Sequence, residues 1–569
     1  MEILLFFVYS LIITLSTIGY GLLTSRYLNL TFNNIGLYGI LGLFFLSIVS
    51  SYTHLILAHN YIHNLIILFC GLLWFWVFKK KILNDLKYLI ILFFLLYVFL
   101  IISKTNEDFG YYHLPNSIQF AQQKLQFGLG NLSHGFKHIS SIFQLMSLNY
   151  LPFVKFYLFN LTNFLFFIFF LAFALKEIFK KSSKNLNISN ILLSLIFILF
   201  LTKFSRLAEY GSDISGQIII SVYLFYLHEL IFNSKFNSKK KIEFLKISLI
   251  LILFAITLKF ILVIYSLLLL LSLLLIKEKI YIVTRVINLN FLIISISSIF
   301  IFLFLNFTST GCLIYPVERL CFSNNFDWAL DTQTINYLNF HYELWSKGGR
   351  GPSFIVDNPE NYIQSFNWVS NWISVYFIGK FTDFILVTFI ILIIFSLFFS
   401  KEVFIINSNL KKFDPKYFLF FFTIIIIFFI WFINFPTLRY AGFIITFLII
   451  ILPFSIIISK KVNLFLKKNM KKLFILFLLS YSIFLFKNVT RISDELKLED
   501  HSHHNFKNFP FFWVEKTFQE KISVNKFILQ KAKGKCWATP STCVRNSDNL
   551  KIISKNGYIF YINKNKNEK

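Results

Sequence analysis

Apolar runs separated by short lysine-rich turns or longer acid-containing stretches recur along almost the whole chain. Runs at 2–24, 34–56, 61–78 and 86–103 predict four membrane helices, and runs at 153–175, 188–203 and 214–232 predict three more. Most approach the roughly 20 residues needed to cross a hydrocarbon core of about 30 Å. The stretch 246–276 is interrupted only by Lys259. As one helix it would be about 46 Å long at 1.5 Å per residue, so two short passes turning near Lys259 are expected. Runs at 288–306, 374–399, 417–435, 440–459 and 472–487 bring the expectation to about fourteen crossings. The fold class expected is an all-α polytopic membrane protein.

Between the runs lie three long polar segments. The expected organisation is four spans in 1–103, an acidic loop with a surface helix in 104–152, spans in 153–306, a loop with a cysteine pair in 307–373, spans in 374–487 and a small C-terminal segment in 488–569. Composition agrees with a membrane protein: 57% of residues are hydrophobic and mean hydropathy is +0.68. The formal charge of +28 would suggest nucleic acid in a soluble domain. Here the lysines cluster in short turns, as the positive-inside rule requires, and a nucleic-acid partner is discarded. That rule puts the acidic loops and the C-terminus outside a bacterial inner (cytoplasmic) membrane. No cleavable leader is expected, because Glu2 replaces the usual basic start and no small-residue cleavage motif follows.

Cysteine usage tests this topology independently. Cys312 and Cys321 share one outer loop, Cys536 and Cys543 the C-terminal segment, and only Cys70 falls in a span. Disulfides in an oxidising compartment are expected, with three connectivities open to four cysteines and a zinc site as the weaker alternative.

The first long polar stretch opens with TNEDFGYYHLP. Glu107 and Asp108 would sit where a membrane helix emerges, followed by Tyr112 and His113. Pro115 suits a helix start, and Ile118, Gln122, Leu125, Leu129 and Leu132 recur near helical spacing, predicting a helix on the membrane surface. Asp108 is the preferred general base, although two such acids also serve as solvated loop residues or caps. A second acidic turn, AEYGSDISG, carries Asp213, which could bind a divalent metal, orient a sugar or cap the following helix. Lys259 and Arg439, the latter in FPTLRYAGF, are cations near the same membrane face. A guanidinium fork suits a phosphate clamp, while Lys259 supplies a point charge or simply snorkels. In 307–372, Trp328 and three further tryptophans among carboxylates suit a sugar or form an interfacial belt. His501, His503 and His504 are weaker metal candidates, and no residue set is assigned as metal ligands. Neither a cofactor nor a protein partner is specified by any motif.

With an acidic motif in the first large outer loop, a second acidic turn and many spans, the chain resembles the GT-C superfamily of polytopic membrane glycosyltransferases. The motifs EDFGYYHLP, YGSDISG, GCLIYPVERLCF and CWATPSTC also resemble a bacterial multi-pass family related to it. The likeness covers residues 104 to about 445. It implies a GT-C-like helical bundle that moves a sugar from a polyprenyl-phosphate (lipid-linked) donor to an extracytoplasmic hydroxyl acceptor on a glycan, lipid or protein. It puts Asp108 at the acidic loop position, Asp213 at the second acid and Arg439 at the phosphate. Tyr112, His113, Lys259 and Trp328 are the expected substrate contacts. Four spans before the loop rather than one, and a Glu-Asp rather than Asp-Glu order, leave the base open between Glu107 and Asp108. The alternatives are a transporter or flippase for a lipid-linked or anionic solute, and a polysaccharide polymerase or ligase.

Overall fold

The computed structural model describes residues 2–180, 188–207, 210–351, 354–400, 414–462, 467–498, 512–515, 517–524, 527–545, 547 and 549–564. The described chain is mostly helical, and 10 of its helices are long and apolar enough to cross a membrane. It is a polytopic helical membrane protein. The four other expected crossings are helices too, but Leu83–Leu96 has 14 residues, Ile188–Lys203 has 16 and Ser266–Leu275 has 10. Those lengths correspond to roughly 21, 24 and 15 Å. The fourth, Ser238–Leu258, opens on a run of lysines.

Helix starts follow from an asparagine-rich composition. Asn34, Asn60, Asn237 and Asn288 each accept a hydrogen bond from a backbone amide of the first turn, which satisfies donors the helix leaves unpaired. Between helices, lipid offers no hydrophobic drive, so close backbone approach at small residues matters. A Cβ on Gly21 would lie 1.7 Å from the Tyr38 carbonyl oxygen, and one on Gly42 would lie 1.9 Å from that of Thr17. The first two helices therefore pack backbone to backbone.

Burial sorts the bundle into a centre and a rim. Nearly all of Phe156–Ile178 and Tyr210–Phe232 is buried, whereas about three quarters or more of the apolar stretch of Tyr61–Lys81 and of Pro415–Asn434 is not. The rim helices present Ile66, Trp76, Phe418 and Phe429 outward, as lipid-facing residues should. The expected interruption at Lys259 is present: Ser238–Leu258 stops there, Lys259 is extended at φ −153° and ψ 114°, and a 3-10 turn Phe260–Tyr265 precedes Ser266–Leu275.

The three long polar segments meet at one end of the bundle. The Phe127 amide donates to the Ile559 carbonyl and the Tyr561 amide to the Phe127 carbonyl, both at 2.9 Å, while the Gly128 amide reaches the Thr308 carbonyl at 2.8 Å. Asn131 Nδ2 donates to the carbonyls of Trp328 and Tyr561. The expected all-α class needs amending here. The C-terminal segment forms antiparallel strands Phe518–Val524 and Phe527–Ala532, with short Cys543–Val544 parallel to the second, and a hairpin Leu550–Lys555 and Tyr558–Asn563. A two-residue pair, Arg350–Gly351 with Phe354–Ile355, lies in the 307–373 segment.

The expected surface helix is also corrected. It runs only over Leu114–Gln122, and every residue from Leu114 to Ala121 is buried. Two of its polar side chains bond inside: Asn116 Nδ2 donates to the Tyr112 and Gly135 carbonyls, and the Ser117 hydroxyl to the His113 carbonyl. Leu129 and Leu132 pack instead against Leu529, Val544 and Leu550 of the C-terminal strands. A covering segment from far along the chain imitates the apolar spacing of a surface helix.

Candidate functional site

Each charged residue of the site sits where a helix is interrupted. After the fourth apolar helix the chain turns at 103–106, where Asn106 Oδ1 accepts from the Phe109 amide at 3.0 Å, and Asp108 directly precedes a widened turn, Phe109–His113. Asp213 lies in a second such turn, Tyr210–Ile214, which precedes Ser215–Phe232. That turn contains Gly211 at φ +27°, where a Cβ would lie 2.4 Å from His113 Cε1. Only glycine lets the two turns touch. Lys259 occupies the interruption described above. Arg439 lies in Leu438–Gly442, between Pro415–Asn434 and Phe443–Lys461.

These four interruptions converge. Arg439 Nη2 donates to Asp108 Oδ2, Arg439 Nε to Asp213 Oδ2 at 2.7 Å, and Lys259 Nζ to Asp213 Oδ1. Side-chain exposure is 26% for Asp108 and 10% for Asp213. Asp213 is thus enclosed between two cations, and Asp108 is the more accessible acid. Asp213 was a candidate cap for the helix after it. Its carboxylate turns instead to Lys259 and Arg439, because two cations in a low-dielectric site outweigh a backbone amide.

The Arg439 loop is held on several sides. The Leu438 amide donates to the Tyr376 hydroxyl at 2.7 Å, Trp431 Nε1 to the Thr437 carbonyl at 3.1 Å, Trp372 Nε1 to the Pro436 carbonyl at 2.9 Å and the Tyr265 hydroxyl to the Ala441 carbonyl at 2.9 Å. Ala441 is held at φ 69°. Aromatic rings flank the cations: Lys259 Nζ is 3.9 Å from the Tyr440 ring centre, and Arg439 Cζ is 5.7 Å from that of Trp345.

Tyr112 and His113 line the same region. Their rings are 4.4 Å apart, and the Tyr112 ring is 5.2 Å from that of His138. His138 and His134 bring their Nε2 atoms within 3.4 Å of each other, and the Tyr342 hydroxyl lies 2.9 Å from His134 Nε2 and 3.3 Å from His138 Nε2. Burial pushes the His113 imidazole down to about 4 and those of His134 and His138 to about 3, since a buried imidazolium loses its hydration. Burial, with the field of Asp108, holds the Tyr112 phenol well above its usual range.

The structure separates the two candidate bases. Glu107 is 84% exposed and lies 3.6 Å from Lys535 Nζ, away from Arg439. Trp328 is a correction: it is buried among Phe127, Phe307 and Phe326, so it offers no open face to a sugar. Trp345 stands beside Arg439 instead. The disulfides join Cys312 to Cys321 and Cys536 to Cys543, and Cys70 is free. His501, His503 and His504, and Glu209 of the AEYGSDISG turn, lie outside the described residues. A divalent ion at Asp213 does not fit the residues present, because its two carboxylate oxygens already face an ammonium and a guanidinium. His134 and His138 were not among the sequence candidates. Their i, i+4 spacing in HGFKH was visible, but the Tyr342 hydroxyl that both imidazoles reach lies some two hundred residues away.

The family model for Domain of unknown function (DUF8201) matches residues 3–445. The chain belongs to this family. The matched span contains all four charged residues and ends just beyond the Arg439 loop, so the family region carries the cluster while the C-terminal strands lie outside it. Neither a curated protein nor a solved structure matches the chain.

Proposed function

We propose that this protein is a membrane glycosyltransferase of the GT-C type, moving a sugar from a polyprenyl-phosphate donor to a hydroxyl acceptor. The observation that carries the reading is the convergence of Asp108, Asp213, Lys259 and Arg439 from four helix interruptions. Two cations side by side at the end of a helical bundle form a receptor for a lipid-borne phosphate, and the nearby carboxylate is suited to take a proton. The disulfides support an oxidising compartment, hence an outward-facing polar end in a bacterial inner membrane.

In this reading a donor phosphate enters beside Lys259 and the guanidinium fork of Arg439, taking the place Asp108 holds on that fork. Asp108, released, accepts the acceptor's hydroxyl proton. The acceptor oxygen then bonds to the anomeric carbon as the bond from that carbon to the phosphate oxygen breaks. The charge left on the lipid phosphate is carried by Arg439 and Lys259. Asp213 holds the two cations in place, and Trp345 and Tyr440 supply apolar faces for the sugar. No metal enters any step.

The test is transfer of labelled sugar from a panel of polyprenyl-phosphate sugars by membranes carrying wild type or Asp108→Asn. Loss of transfer in a variant that still expresses and purifies supports the reading, and an active Asp108→Asn protein removes Asp108 from the role of base. A second reading, a flippase for a lipid-linked or anionic solute, draws on the same interruptions, because broken helices meeting at buried charges also form transport sites. Solute movement into vesicles without sugar transfer would favour it.

A further inference from the structure

A separate cavity of about 500 Å³ opens between the 130–137 turns and the C-terminal strands. Lys137, Lys531, Lys533 and Arg545 line it together with His134, Ser133 and Asn131, and among the described residues no carboxylate does. This charge is built by local geometry. In the strand Phe527–Ala532 and just past its end, Lys531 and Lys533 are two residues apart and so share one face of the extended chain. Val544 pairs with Lys531, which brings the next residue, Arg545, alongside. His134 and Lys137, three apart in a 3-10 turn, lie above one another on the facing wall.

Among the described residues, the carboxylates nearby leave this charge largely uncompensated. Glu520 approaches Lys531 at 3.4 Å from outside the lining. Asp331, whose field reaches Lys137, spends its own oxygens on the amide and hydroxyl of Thr334. Arg545 Cζ stands 5.9 Å from the Tyr111 ring, and Tyr111 is followed by Tyr112 and His113 of the site. The cavity is thus one layer of aromatic rings from the Asp108 cluster, on the side of the C-terminal strands.

We propose that this cavity is a binding site for a phosphate- or pyrophosphate-bearing ligand, distinct from the Arg439 cluster. Four cations converging on one concave surface match a multivalent oxyanion, whose several oxygens accept charge-assisted hydrogen bonds from ammonium and guanidinium groups at once. A role for that ligand as the acceptor, presenting its hydroxyl past Tyr111 to Asp108, rests on the glycosyltransferase reading. The site itself does not.

Titration of the detergent-solubilised full chain with inorganic pyrophosphate tests the assignment without any transfer reaction. Wild type should bind, Lys533→Gln with Arg545→Gln should raise Kd at least about tenfold, and Lys555→Gln, at an exposed strand lysine outside the cavity, should leave Kd within about twofold. Both substituted positions in the cavity are exposed, so folding should be retained, and Lys137→Gln provides a second variant on the opposite wall. Undetectable binding by wild type, unchanged binding in the Lys533/Arg545 variant, or an equal loss in Lys555→Gln would overturn the proposal. A lipid headgroup shares this chemistry. Pyrophosphate binding that weakens when phosphatidylglycerol replaces phosphatidylcholine in nanodiscs would make the natural source a lipid, and unchanged binding would make it a water-soluble molecule.

Discussion

Arg439 is the residue on which the charged cluster depends, because its fork touches Asp108 and Asp213 at once. Lysine keeps the charge and loses the fork. Arg439→Lys should therefore lower kcat/KM for sugar transfer by about 10² while the protein still folds, as read by transfer rate beside a thermal melt. Asp213→Asn should act differently. It leaves Lys259 without its carboxylate and Arg439 with Asp108 alone, and loss of one partner of a buried pair costs about 3 to 5 kcal/mol, which a lowered unfolding midpoint in detergent would register. The histidines make a pH prediction. His134 and His138 have folded values near 3 against an ordinary value near 6.5, so the unfolded chain takes up their protons first. Their stabilising contribution is complete above about pH 6.5 and declines as pH falls towards 3, by up to about 1.4 kcal/mol per pH unit for each imidazole. Over pH 6.5 to 5, the unfolding midpoint of a His134→Gln/His138→Gln protein should fall less steeply than that of wild type.

At the scale of elements, the site is made of interruptions. A continuous helix in lipid satisfies its own backbone, so each break needs outside partners. The Arg439 loop obtains them from Tyr265, Trp372, Tyr376 and Trp431. Gly211 is the tightest of these points. An alanine there meets both a positive φ and the His113 ring, and should destabilise the protein by about 1 to 3 kcal/mol and reduce transfer, since the Tyr210–Ile214 turn carries Asp213. A Gly211→Ala protein with wild-type melting and transfer would show that the two turns do not need this contact. Ten long apolar helices were legible because twenty-residue apolar runs have few other solutions in a polytopic chain. The Leu114–Gln122 helix was misread as a surface element, because amphipathic spacing reports that one face is covered and not what covers it.

Across the whole molecule, the C-terminal strands close over the 104–152 segment through Phe127 and Tyr561, and the Cys536–Cys543 disulfide braces the loop beside the basic cavity. A bridge closing so short a loop contributes about 2 kcal/mol on the chain-entropy model. Replacing both cysteines with serine should lower the unfolding midpoint accordingly and weaken pyrophosphate binding more than sugar transfer, because Lys533 and Arg545 flank the bridge whereas the charged cluster lies within residues 3–445. Equal losses in the two measurements would mean that the strands serve the cluster and the cavity alike.

The sequence by itself determined a multi-pass helical protein, the break at Lys259 and the candidacy of Asp108, Asp213, Lys259 and Arg439, because hydropathy, helix length and the rarity of charge near apolar runs are local quantities. Tertiary structure alone decided that these four side chains meet, that Glu107 turns outward, that Trp328 is buried while Trp345 faces Arg439, and that His134 and His138 share Tyr342. Each is a relation between segments tens to hundreds of residues apart. No periodicity in one segment records the direction from which another arrives. The β-structure of the C-terminal segment belongs with these, since its strands are short, lysine-rich and stabilised by covering Leu129 and Leu132 from a distant part of the chain.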